Sequence, residues 1–191
     1  MPANANKQSL LNKGRVDKFI MVFQLPPALR EVQKRSTRSS FNVSEDTFQF
    51  SIYGTVVPEL TVPAIRIPYT GSNLYQSAHA REPYPPVTID FTIDNEFNNY
   101  WVIYKWLDLM HDDKAGLYDN DKLADTAYSN YQSDMTIYGV DEYDNKRIQF
   151  TYTKAFPTVL GKIDYNYRES AEINTSMTFV YSQLHTKLLN L

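Results

Sequence analysis

Apolar and polar positions alternate with a period of two along most of this chain, and with a helical period along one stretch. The clearest alternation is residues 87–94, where Val87, Ile89, Phe91 and Ile93 point one way and Thr88, Asp90, Thr92 and Asp94 the other. That pattern predicts a half-buried strand. Residues 15–25 set Val16, Lys18, Ile20, Val22 and Gln24 against Asp17, Phe19, Met21 and Phe23. The centre is apolar on both faces, so a strand covered on both sides is expected, stopped by Pro26 and Pro27. Residues 47–57 alternate again, with Phe48, Phe50 and Ile52 facing away from Gln49, Ser51 and Tyr53. Residues 60–67 follow as the second half of a hairpin. Pro58, Pro63 and Pro68 confine that half to an edge, a bulge or the edge of another chain.

Residues 95–111 carry the helical period. Asp94 or Asn95 can cap this helix, and Glu96 suits the positive end of its dipole. Phe97, Trp101, Tyr104 and Leu107 recur at spacings of 4, 3 and 3, which predicts an aromatic stripe packed on a sheet. Residues 134–140 and 147–153 form a predicted hairpin, and Asp144-Asn145 between them tolerate positive φ. Ala155-Phe156-Pro157 is expected to break the ladder. A short strand over 160–167 follows, then a turn at Glu169-Ser170. A long closing strand over 172–184 aligns Ile173, Thr175, Met177, Phe179 and Tyr181 on one face.

About seven or eight strands and one helix predict a mainly β (α+β) chain. The expected architecture is an antiparallel β-sandwich or barrel-like sheet with one packed α-helix. It forms a single domain over residues 15–191, preceded by a flexible basic arm over residues 1–14. Long loops are expected at 27–46, 69–86 and 112–133.

Composition narrows the chemistry. The 191 residues include no Cys, which excludes disulfides, thiolate catalysis and Cys-ligated zinc, and only 6 Gly. Tyr is in surplus at 15, and Tyr suits half-buried strand and interface positions. The net charge of −3 hides an asymmetry. The first 40 residues hold 8 bases against Asp17 and Glu31, leaving 11 bases against 20 acids in the rest. A basic head on an acidic body points to a partner: nucleic acid, a membrane, or another copy of the chain. No run reaches the roughly 20 apolar residues that span a bilayer, and the opening residues lack a signal-peptide core, so no membrane anchor is expected.

No catalytic motif stands out. His79, His111 and His185 are isolated in sequence, and neither GxSxG nor a Walker motif occurs. Asp90 and Asp94 share a strand face, which ordinary alternation explains equally well. Asp119 and Asp121 match the first positions of a calcium loop, but Leu123, Ala124 and Asn130 stand where it needs a ligand, a glycine and a glutamate. No enzyme activity, metal or cofactor is expected.

One order of segments resembles a known family. A strand ending in Asp (VTIDFTID) leads into an aromatic helix (NEFNNYWVIYKWLDLM). After an insertion come the hairpin MTIYGVDEYDNKRIQFTYT and then KAFPTVLGKIDYNYRESAEINTSMTFVYSQL. Earlier, GTVVPELTVPAIRIPYTG looks like the hairpin before an extended loop. Over residues 15–184 this resembles the tail tube proteins of contractile-tailed bacteriophages and their relatives in extracellular contractile injection systems. Three features depart from the pattern: the basic arm, the long basic connection 27–46 and the acidic loop 112–133.

The resemblance implies a structural virion protein, assembled in the host cytoplasm and resident in the phage tail. Six copies would form a ring, strands of neighbours joining one continuous inner barrel with the helix outside, and rings would stack into a hollow tube. Implied partners are the chain itself, the tail sheath protein, baseplate and tail terminator proteins, and double-stranded DNA in transit through the lumen. Candidate contacts within and between rings are Arg15, Arg30, Lys34, Arg35, Pro63, Tyr69, Tyr75, Tyr84, Phe156 and Tyr181. The acid excess suits a lumen that must not grip DNA. Two alternatives stay open: a baseplate, tube-initiator or terminator protein of the same fold, and a nucleic-acid-binding module using the basic head and its tyrosines.

Overall fold

Strand β7 (Lys146–Leu160) organises the molecule, because it belongs to two sheet halves at once. The computed structural model describes residues 13–27, 29–30, 51–110, 131–168 and 170–189. Outside these lie residues 1–12 of the arm, most of the connection 27–46, the first residues of the predicted strand 47–57, His111, the calcium-like run, and Lys34 and Arg35.

The described elements are β1 (Phe19–Phe23), β2 (Ile52–Thr55), β3 (Ala64–Tyr69), β4 (Ser72–Ser77), β5 (Val87–Thr92), α1 (Asn98–Met110), β6 (Ser133–Val140), β7, β8 (Asn174–Val180) and β9 (Gln183–Leu188). Seven strands form one antiparallel sheet in the order β1-β6-β7-β8-β5-β2, with β9 also pairing β7, while β3 and β4 form a separate ribbon. The protein is therefore mainly antiparallel β with a single helix among the described residues.

The predicted break at Ala155-Phe156-Pro157 is a corner instead. Up to Thr153, β7 lies between β6 and β9; from Phe156 it pairs β8. Lys154 takes a φ of 53°, and its N–H is held by Asp134 Oδ1 at 3.0 Å. The partner strand turns at the same level, where Ser182 N–H donates to the Thr153 carbonyl at 2.9 Å. On the β8–β9 side register survives the corner, with Thr153 facing Gln183 and Phe156 facing Val180, whereas against β6 it shifts between Ser133 and Met135. The predicted long closing strand is thus real but bent, and it runs on to Leu188 as β9. Residues 161–168 form no strand, contrary to expectation.

The inward faces of both halves share one core. Met21, Phe23, Met135, Ile137 and Tyr152 come from one half, Val87, Ile89, Phe91, Met177 and Phe179 from the other, and Val102, Ile103 and Trp106 from α1. The alternation read from residues 87–94 and 173–181 therefore points as expected. That of β1 does not. Among the described residues it pairs β6 alone, and Met21 and Phe23 are buried while Ile20 and Val22 on its other face are only half-buried.

The helix buries a different stripe from the predicted one. Asn99, Val102, Ile103 and Trp106 are its buried residues, whereas Trp101 is 45% and Tyr104 43% exposed. Leu107 is half-buried, and Phe97 packs on the core from a φ of 61° just ahead of the helix. Two stripes with helical spacing compete here, and the one holding Val102, Ile103 and Trp106 joins the core. Trp106 goes inside because its Nε1 finds the Tyr131 carbonyl at 2.7 Å. Asp94 caps the helix as predicted, its Oδ1 accepting from Asn98 N–H at 2.7 Å.

The predicted hairpin of 47–57 with 60–67 does not form. β2 pairs β5, and β3 pairs β4 across a turn at Thr70-Gly71. The supposed loop 69–86 therefore contains a strand. Positive φ at both turn residues, 30° and 80°, matches a two-residue turn whose twist suits antiparallel strands, and glycine meets that need at Gly71.

Candidate assembly surfaces

The β3–β4 ribbon carries no packing partner among the described residues. Every residue of both strands is exposed. Its register sorts the side chains. Ile65, Ile67, Tyr69 and Leu74 fall on one face, whereas Arg66, Pro68, Asn73 and Tyr75 fall on the other. Arg66 Nε donates to Asn73 Oδ1 at 2.7 Å and stiffens the polar face. Leu74 stays 52% and Tyr75 71% exposed. The ladder continues toward the body through Ala78 N–H to the Pro63 carbonyl at 2.9 Å and Glu82 N–H to the Thr61 carbonyl at 3.5 Å. Residues 56–86 thus form an arm. A two-stranded ribbon is marginal in water, so an apolar stripe on one calls for a cover.

Edges are the second surface. β1, β2 and β9 each pair on one side only among the described residues. β2 carries a register shift at Ile52/Gly54, which blunts it, but β1 and β9 are regular. Of the closing strand, β8 is paired on both sides, by β7 and β5, whereas β9 pairs on one side only among the described residues.

The candidate contact residues divide accordingly. Pro63, Tyr69 and Tyr75 all lie on the arm, but apart: Pro63 precedes β3, Tyr69 ends it, and Tyr69 and Tyr75 point to opposite faces. Tyr84 and Tyr181 meet at its root, ring centroids 5.3 Å apart. Phe156 packs partly on the core and edge-on to Tyr131 at 5.5 Å. Arg15 pairs with exposed Asp17 at 2.9 Å, which holds its guanidinium pKa above the ordinary value, and Arg30 is exposed on the turn after Pro26-Pro27. Trp101 and Tyr104, expected in the packed stripe, instead stack on each other at the surface 5.5 Å apart, with Lys105 Nζ 4.9 Å from the Trp101 centroid and 2.6 Å from Asp108.

Charge on the sheet runs against the acid excess of the chain as a whole. In the seven-stranded sheet the strand acids are Asp90 and Asp134, against Lys146, Arg147, Lys154 and Lys187. The outward faces are rich in hydroxyls and amides: Thr88 with Thr178 at 3.0 Å, Thr92 with Asn174 at 2.9 Å, Gln149 with Thr151 at 3.0 Å. Acids gather in turns, as at the β6–β7 tip. There burial opposes ionisation of Asp141, but hydrogen bonds from Asn145, Arg147 and the Tyr143 N–H outweigh it and hold the carboxyl down at about 2. Burial raises the phenols of Tyr152 and Tyr181, the latter to about 12.

Among the described residues no group of three or more His, Cys, Asp or Glu could hold a metal. Nor is any described helix long and apolar enough to cross a membrane. His185, expected beyond the last strand, lies within β9 and is exposed.

The sequence model of the phage tail tube protein family matches residues 15–187, the whole sheet and the arm. The chain belongs to that family. Its members are structural proteins of the tail tube. Solved structures share the fold. A chain of the PVC sheath–tube complex, an extracellular contractile injection system in its extended state, is similar at 9% identity over 94% of this chain and 95% of that one, with a TM-score of 0.59. A chain of the anti-feeding prophage tube-terminating cap is similar at 10% identity over 99% and 100%, with a TM-score of 0.61. The anti-feeding prophage baseplate supplies a third, at 11% identity over 92% and 95%, with a TM-score of 0.55. No curated protein matches the sequence.

Proposed function

We propose that this tail tube protein forms hexameric rings that stack into the hollow tube of a contractile tail, and that the tube carries DNA into the host cell. The observation that carries the reading is the arm of residues 56–86, whose stripe of Ile65, Ile67, Tyr69 and Leu74 is uncovered in the single chain. A second copy is a fitting cover. A heterologous contact that closes gives a ring, and one that does not close gives a stack. The regular edges of β1 and β9 give a ring its joints, because pairing them between neighbours removes both edges.

The tail sheath protein is the proposed outer partner, meeting the helix at Trp101 and Tyr104. Baseplate and terminator proteins are the proposed partners at the tube ends. Double-stranded DNA passes through the lumen. A wall rich in threonine, serine, asparagine and glutamine suits its passage, because those side chains carry no charge and phosphate contacts by Lys and Arg are what retain DNA. The particle is a virion, assembled in the host cytoplasm.

A tube-terminating protein is the second reading, favoured by a likeness to the cap that extends over both whole chains. Light scattering and negative-stain microscopy of the purified chain separate the two. Hollow tubes with six-fold end views are expected. Closed rings that never stack favour the terminator, and a chain that stays monomeric at high concentration sinks both. Replacing Leu74 by Glu is expected to abolish stacking while leaving the monomer folded.

A further inference from the structure

The arm is joined to the body through very little. Of residues 56–86, only Tyr84 packs against the hydrophobic core. Its ring lies 5.3 Å from that of Tyr181, tilted by 35°, and Arg81 Nη1 donates to its hydroxyl at 2.9 Å. Tyr181 sits at the corner between β8 and β9 and meets Tyr152 edge-on at 4.9 Å. Tyr152 in turn meets Phe179 edge-on at 5.4 Å. The root beside Tyr84 is not packed solid. A cavity of about 110 Å³ separates Glu59, Leu60 and Thr61 from the returning residues 81–85. Apart from Tyr84, the root is spanned by the 3.5 Å bond from Glu82 N–H to Thr61.

The sequence around Tyr84 makes it an effective pin. Pro83, Pro85 and Pro86 flank it, and each has a restricted φ and no N–H. Such a segment is stiff and extended, so fixing the ring fixes the direction of the strand on either side. The aromatic chain Tyr84–Tyr181–Tyr152 then refers that direction to the corner of the sheet.

We propose that Tyr84 is the positioning residue of the arm. Seated on Tyr181, it sets the angle at which the arm leaves the body and presents the stripe of Ile65, Ile67, Tyr69 and Leu74 to a second copy of this chain. The inference rests on reading the arm as a contact between copies. A pinned arm loses less freedom on docking than a swinging one, so assembly starts at lower concentration.

The absence of cysteine allows a clean test. Spin labels on Ser72→Cys, at the arm tip, and Lys187→Cys, on β9, report the arm-to-body distance distribution by pulsed dipolar spectroscopy. The monomer is measured below its assembly concentration in three backgrounds: wild type, Tyr84→Ala and Tyr84→Phe. Near-ultraviolet circular dichroism and thermal unfolding confirm that the body stays folded. A narrow distribution is expected in wild type, a broad one in Tyr84→Ala, and a narrow one again in Tyr84→Phe, which keeps the ring and loses only the Arg81 bond. The concentration needed for assembly is expected to rise about tenfold or more in Tyr84→Ala and to be restored by Tyr84→Phe. A wild-type arm that is already broad, a Tyr84→Ala arm that stays narrow, or a broadened arm that assembles at the wild-type concentration would each overturn the inference. A wild-type chain that makes neither rings nor tubes, with the arm still broadening in Tyr84→Ala, overturns the tube reading and leaves Tyr84 as the pin.

Discussion

Asn99 donates its side-chain amide to the Thr92 carbonyl oxygen at 2.8 Å, tying the first turn of α1 to the end of β5. Its Oδ1 also accepts from Asp94 N–H at 3.3 Å. Asn99 is fully buried, so both groups depend on it. Asn99→Leu is expected to destabilise the fold by about 2–3 kcal/mol, since it leaves the Thr92 carbonyl without its donor in a dry site. Urea unfolding of the monomer measures this, and a loss below about 0.5 kcal/mol would mean the helix is held by packing alone.

The two tryptophans of α1 should behave oppositely. Trp106 is 2% exposed and Trp101 45%. Trp106→Ala is expected to cost about 3–5 kcal/mol in cavity and lost burial. Trp101→Ala should cost under about 1 kcal/mol in the monomer, because its contacts are with Tyr104 and Lys105 at the surface. Guanidinium titrations of both variants decide whether the buried stripe is assigned correctly.

Tyr152 and Tyr181 have buried hydroxyls with no hydrogen-bond partner among the described residues. Replacing either by Phe is expected to leave stability unchanged or raise it by up to about 1 kcal/mol, as no bond is lost. Alkali gives a second reading. Burial, with Tyr84 nearby, pushes the Tyr181 phenol up to about 12, and burial with Tyr181 nearby raises that of Tyr152. The unfolded chain ionises near the ordinary value of about 10, so it releases protons first. Stability is therefore full below pH ~10 and falls as pH rises toward the folded values. Phenolate absorbance that tracks unfolding for these two residues would bear this out. A full tyrosine titration in the folded chain near pH ~10 would contradict it.

Asp141 works the other way at acid pH. Its carboxyl is held at about 2 in the folded chain against about 4 when unfolded. The stability it lends is present above pH ~4 and is lost as pH falls through about 2. Asp141→Asn should lower stability at neutral pH and flatten the acid limb between those values, measured by chemical unfolding at stepped pH. An unchanged acid limb would mean that the β6–β7 tip does not feel this carboxylate.

The positions of most strands were legible because side-chain alternation is a local signal. Val87 to Phe91, Met135 to Ile137 and Thr175 to Phe179 bury the residues that the period of two selects. Where the local signal had two solutions, it misled. Residues 97–110 contain an aromatic stripe and an aliphatic one, and rings were given more weight than the branched pair Val102-Ile103. Ala155-Phe156-Pro157 holds a proline where a ladder usually stops. Yet a corner at Lys154 lets Pro157 pair opposite Phe179, and the register against β8 shifts only after it, between Pro157 and Val159. The arm was half visible. Thr70-Gly71 between the alternating runs 64–69 and 72–77 is a hairpin signal that the tyrosines and prolines nearby obscured.

By itself the sequence determined the β-rich class, the single helix and its Asp94 cap, the aligned face of the closing strand, and the order of segments shared with the tail tube family. Each of these depends on neighbours in sequence or on residue type alone. The tertiary structure alone decided which partner each described strand took, which edges stayed open among the described residues, that the sheet strands hold more cations than acids, and that Tyr84 meets Tyr181. These are contacts between residues far apart along the chain. They are set by how one core closes over two sheet halves and a helix, and alternation along a single strand carries no record of that closure.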